Sequence, residues 1–184
     1  MKTLFIVLML VGASMAVGQP GIFATVKNFQ DGAPSFAFHC DSVKAKVRLN
    51  QFFKGASVTV LQDGSEHQFL KSDIFGYRDC NGDAFRLVRN TAYKILHAEV
   101  IFLYEEEVIR NKSSETEKVY FFSKIANGPL TPLTIHSLRV SFPGNHSFHD
   151  LLNSNFKSDA DLLRLDHGTN RYTLIRLYKE SLTN

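Results

Sequence analysis

The chain has 184 residues, 44% of them hydrophobic and 21% charged, and 21 Lys and Arg against 18 Asp and Glu leave a formal charge of only +3. This balance excludes a disordered, collagen-like or strongly nucleic-acid-seeking polymer. With 16 Phe and 6 Tyr but no Trp, the chain carries ample apolar surface for one domain core.

A single cation, Lys2, precedes the apolar run Leu4 to Val11, and small residues follow from Gly12 to Gly18. This is the order of a secretory signal peptide, assigned to residues 1–18. The run is too short to cross a hydrocarbon layer, which takes about 20 helical residues. Cleavage after Ala16, with Ser14 at −3, and cleavage after Gly18, with Ala16 at −3, both satisfy the small-x-small rule. Residues 19–184 then form a single globular domain, with no later transmembrane segment. The expected location is periplasmic or extracellular.

Two cysteines, Cys40 and Cys80, remain in that domain. An even count entering an oxidising compartment makes them a disulfide candidate, and two separate buried thiols are the alternative. Neither lies in a nucleophile signature, and their spacing does not suit a zinc ribbon.

Period-two segments dominate from Ala24 onward. Val43, Ala45, Val47 and Leu49 alternate with Lys44, Lys46 and Arg48, as in a strand with one face in water. Asp63-Gly64 separates Val58–Leu61 from His67–Leu70, a strong hairpin signal. Asn81-Gly82 separates Ile74–Tyr77 from Ala84–Val88, and strand-like runs follow at Tyr93–Leu96 and Val100–Tyr104. Sequence-adjacent strands joined by tight turns give an antiparallel meander. Residues 105–118, including Glu105-Glu106-Glu107, read as an exposed loop or wide hairpin excursion. After Val119–Phe122 and a turn at Asn127-Gly128-Pro129, Leu133–Ile135 and Leu138–Val140 are expected to close the β-rich part near residue 142.

The remainder, 147–182, reads as helical. Phe148, Leu151, Leu152 and Phe156 share one helix face, with Ser147 and Asp150 as a capping-box-like start. Ser158 and Asp161 repeat the device before Leu162–Leu165, a helix expected to end near Gly168. Arg171–Leu182 fits either period, and the helical one is preferred. The predicted class is α+β: a mostly antiparallel β-sheet, a meander of hairpins, with short α-helices at the C-terminal end.

The strings Gly21–Phe29, Lys71–Asp79 and Phe85-Arg86 before Tyr93-Lys94-Ile95 together resemble a group of small secreted bacterial proteins to which no activity is assigned. The resemblance spans most of the mature chain, and it implies export without transferring any catalytic residue.

The one constellation with metal-ligand residue types is His146-Ser147-Phe148-His149-Asp150. Helical spacing turns His146, His149, Asp150 and Asn153 away from the apolar face, where two imidazoles could meet one cation such as zinc. His136 or His167 would be the third ligand. Against this stand the missing HExxH and the capping role open to Asp150. No nucleophile elbow and no phosphate-binding loop occurs, and no catalytic residue or cofactor is assigned. Net charge and the lack of a basic run argue against nucleic acid as a partner. Asn111-Lys112-Ser113 and Asn145-His146-Ser147 are sequons of consequence only in a eukaryotic secretory pathway. The leading expectation is a non-enzymatic secreted or periplasmic binding or envelope-associated domain, acting on a small ligand or an envelope protein. The alternative is a secreted metal-dependent hydrolase using His146 and His149.

Overall fold

A computed structural model describes residues 18–40, 45–49, 55–109 and 116–183. The signal segment up to residue 17 and the sequon at Asn111 lie outside the described residues. The chain is α+β. Eleven strands form two antiparallel sheets among the described residues, and the helices lie mainly toward the C-terminus.

The chain enters through β1 (Gly21–Phe23), helix α1 (Val26–Gln30) and β2 (Phe36–Ala37). Its period-two signal is too short to stand out in the sequence, and Thr25 caps α1 by accepting from the Asn28 N–H. Next, β3 (Lys46–Arg48), β4 (Ser57–Gln62) and β5 (Ser65–Leu70) make the smaller sheet in the order β3-β4-β5. The Asp63-Gly64 hairpin is as expected, with φ of 52° and 77° at its two residues and Gln62 paired with Ser65. Of the strand read from Val43, only Lys46–Arg48 is seen as strand, and 41–44 lie outside the described residues.

The larger sheet is a meander of β6 (Gly76–Arg78), β7 (Ala84–Val88), β8 (Thr91–Ala98), β9 (Phe102–Ile109), β10 (Thr116–Ser123) and β11 (Thr131–Pro132). Its order is β11-β10-β9-β8-β7-β6-β1-β2, so the entering strands complete the edge beyond β6. Ile74 and Phe75 precede β6 rather than starting it. Gly76 is required there: a Cβ would stand 2.0 Å from the Phe85 carbonyl oxygen of the neighbouring strand. Residues 105–109 and 116–118, expected in a loop, extend β9 and β10, with Glu105 opposite Tyr120 and Glu107 opposite Lys118. Cross-strand pairing overrides the polar character of that stretch.

The segments read as closing strands at Leu133–Val140 are instead helix α2 (Ile135–Ser141). Thr134 caps it through the Ser137 N–H at 2.9 Å, and Leu138, fully buried, is its apolar anchor. Helix α3 (His146–Asn155) starts on Asn145, not Ser147, because the Asn145 side chain accepts from the Phe148 N–H at 2.9 Å. Ser158 and Asp161 form the expected capping box, but on a 3₁₀ turn, Asp159–Leu163, that stops well short of Gly168. A Leu165–Tyr172 bridge then leads into α4 (Thr173–Ser181), the preferred helical reading.

Three apolar clusters fix these layers. The smaller sheet lays Val58 and Val60 against Ile22, Tyr77 and Leu87 on one face of the larger sheet. The C-terminal helices press Leu138, Phe148, Leu152, Leu174 and Leu177 onto Leu103 and Phe122 of that same face. On the opposite face, α1 and the turn around Ala126 cover Phe23, Phe75, Phe102 and Tyr104. Within that third cluster Arg86 is buried, its guanidinium donating to the Gly128 carbonyl at 2.8 Å and to the Tyr104 hydroxyl at 3.3 Å. Cys40 and Cys80 are joined in a disulfide, Cα to Cα 5.6 Å, which ties the approach to the smaller sheet to the β6–β7 turn.

Candidate functional site

Register determines where the shared face can bind anything. Opposed residues of antiparallel strands point the same way, so Ile22, Tyr77, Phe85, Lys94, Glu105 and Tyr120 form one row across six strands. Both ends of the row are apolar or aromatic and lie under a covering layer. Its middle, Lys94 and Glu105, is charged, and it lies where the smaller sheet gives way to the helices. A cleft of about 430 Å³ opens there, with Phe85, Lys94, Glu105 and Lys118 among its walls. That volume is within the range of small-molecule sites.

The charges of the cleft alternate in sign. Lys94 Nζ donates to Asp83 Oδ2 at 2.8 Å, and Lys118 Nζ approaches Glu105 Oε1 at 3.0 Å. The Glu105 side chain is only 11% exposed, whereas Lys118 is 53% exposed, so the carboxylate is the fixed partner and the amine the mobile one. The hydrogen bond to Glu105 raises the Lys118 amine above its ordinary value. Burial, then the charge of Glu105, raises the Tyr120 phenol. Tyr172, at the start of α4 beside the helical core cluster, is raised for the same two reasons. Glu107 also lines the cleft, so three carboxylates meet two amines. Phe85 supplies an apolar wall, stacked on Tyr77 with ring centroids 4.8 Å apart.

The residues expected to bind metal are elsewhere. His146 and His149 are adjacent on α3, ring centroids 6.0 Å apart. His149 Nε2 lies 3.0 Å from the Phe142 carbonyl oxygen and, as an N–H donor, closes the C-terminal end of α2. His136 and His167 are exposed on other elements. No group of three His, Cys, Asp or Glu side chains arranged for a metal occurs among the described residues. Asp150 is exposed, and its backbone carbonyl accepts from Ser154. The sequon asparagine Asn145 is fully engaged, capping α3 with its oxygen and donating from Nδ2 to Ser181 Oγ at 2.9 Å. A glycan on that nitrogen would displace the Ser181 contact.

Glu105 to Glu107 suit a solvated loop by composition, and Lys94 and Lys118 carry no local signature that sets them apart from other surface lysines. The signal was present in the alternation Leu103, Glu105, Glu107 facing Phe122, Tyr120, Lys118, which carries an apolar face into a charged one without breaking period two.

Comparisons with protein-family models, with curated proteins and with solved structures find no match, so the chain's own geometry carries the functional reading.

Proposed function

We infer that this is an exported binding domain whose ligand site is the charged cleft on the larger sheet, lined by β7 to β10 with Leu49 at its edge. The observation that carries the reading is the row from Ile22 to Tyr120, apolar or aromatic toward both ends and charged at Lys94 and Glu105 in its middle. Holding a carboxylate only 11% exposed beside two lysines carries a desolvation cost that a ligand-binding role accounts for. Export is supported by the Cys40–Cys80 disulfide, by the composition of residues 1–18, and by the resemblance to secreted bacterial proteins.

The chemistry of the cleft selects a small polar solute bearing an ammonium group, such as an amino sugar or an amino acid. Its ammonium would compete with Lys118 for Glu105, its oxygens would accept from Lys94 and Lys118, and its carbon skeleton would lie on Phe85. The exchange keeps the Glu105 carboxylate paired, one ammonium replacing another, so no uncompensated charge is left at a side chain only 11% exposed. The excess carboxylate favours a neutral or cationic solute over an anionic one.

Scanning fluorimetry of the oxidised protein against amino sugars, amino acids and their N-acetylated counterparts tests this. The free amines should raise the melting temperature, the N-acetylated forms should not, and Glu105→Gln should remove the response. Equal responses to free and acetylated compounds, or a response that survives Glu105→Gln, would contradict the assignment.

A further inference from the structure

The sequence permits a cut after Ala16 or after Gly18, and the two products differ in whether they keep Gly18. Gly18 is part of the packed structure. Its carbonyl oxygen accepts from Arg78 Nη1 at 2.8 Å, a contact between the entry of the chain and the end of β6. That guanidinium lies over the Phe29 ring, 5.7 Å from its centroid, and its Nε is buried without a hydrogen-bond partner. The Gly18 carbonyl is therefore an important acceptor for a charge that is already incompletely paired. The site is close-packed: a Cβ on residue 18 would stand 2.7 Å from Arg78 Nη1, displacing that guanidinium, and 3.2 Å from the Gly32 Cα. The following residues are equally committed, since the Pro20 carbonyl accepts from the Phe38 N–H at 2.9 Å and Gly21 pairs with both Ala37 and Arg78.

A cut after Gly18 would remove this carbonyl and replace it, one peptide unit away, with the ammonium of Gln19. An acceptor facing a guanidinium would be exchanged for a second cation, leaving partly buried donors unsatisfied. A cut after Ala16 leaves the contact intact and satisfies the small-x-small rule with Ser14 and Ala16.

We propose that the exported chain is processed after Ala16, so that Val17 is its first residue and Gly18 is a structural element of the mature fold. The assignment rests on the export reading, and the experiment separates the two. The full chain, expressed with its own leader in a Gram-negative host, is recovered from the envelope fraction for intact mass and amino-terminal sequencing. The expected product begins at Val17. A product beginning at Gln19, free or cyclised to pyroglutamate, overturns the assignment while export stands. A chain confined to the cytoplasm with residues 1–16 retained overturns export and the cut together. As a second measurement, oxidised chains starting at Val17 and at Gln19 are melted side by side. The Gln19 chain should melt about 3 °C lower or more, and Arg78→Gln should cost the Val17 chain more than the Gln19 chain. Equal melting temperatures would show that Gly18 has no structural role.

Discussion

The two ends of one sheet face are covered by different means. At the β9–β10 end the cover is helical and apolar: Leu138, Phe148, Leu152, Leu162 and Leu174 are each completely buried. At the β6–β7 end the cover is a three-stranded sheet in which Val58 and Val60 are the fully buried contributors, and a disulfide ties its approach to the larger sheet. A helix presents a broad apolar stripe and can hold its place by burial alone. A small sheet with its outer face in water buries less, and a covalent link compensates by restricting the unfolded chain. The middle of the face, between two covers of different construction, is left to charged residues.

Breaking the helical cover should have the largest effect. Phe148→Ala empties a site enclosed by Phe142 and Tyr178, whose rings lie 5.6 and 5.1 Å from that of Phe148, and should cost about 3–5 kcal/mol in urea unfolding. Replacing both cysteines by Ala should cost about 4 kcal/mol on the chain-entropy model for a loop of about 41 residues. Hydrogen exchange would sharpen the contrast, because protection should fall first in β3–β5 and persist in α3 and α4. Asn145→Ala removes the α3 cap and the Ser181 contact together and should cost about 1–2 kcal/mol. Substitution in the cleft is expected to be the mildest: Lys94→Ala should move the melting temperature by no more than about 2 °C.

The helical end also carries the clearest acid sensitivity. His97, under α4, is held below its ordinary value of 6.5 chiefly by burial, against the opposing charge of Glu99 and with Lys179 and Arg171 adding to the depression. The unfolded chain therefore takes up its proton first as the pH falls. This contribution to stability is intact above about 6.5 and declines below it. His97→Gln should flatten the decline between about pH 6.5 and 5, measured by urea unfolding across that range.

The tight turns and the long strands were legible because their chemistry is local. Asp63-Gly64 and Asn81-Gly82 supply positive φ cheaply, and period two marks each strand whatever its neighbours are. What escaped was set by tertiary context. Leu133 to Val140 has β-branched residues that suit a strand, yet the Thr134 cap and the burial of Leu138 settle it as a helix. The strand β1 is three residues long, and only pairing with β2 and β6 defines it. Asn145 outcompeted Ser147 as the α3 cap, a choice of two residues that local pattern leaves open. The cleft is not legible because its residues come from five separate stretches, around Leu49, Asp83, Lys94, Glu105 and Lys118, which only the fold brings together. His146 and His149 are ligand types close in sequence, but neither the fold nor their hydrogen bonds supply a third donor among the described residues.

The most direct test of the charged middle as a ligand site is an amide NMR titration of the oxidised protein with glucosamine and with lysine. The account predicts saturable shifts concentrated at residues 83–85, 92–94, 105–107 and 116–118, with the α2–α3 region unmoved. Saturable shifts elsewhere with these strands unmoved, or no saturable shift at millimolar solute, would contradict it.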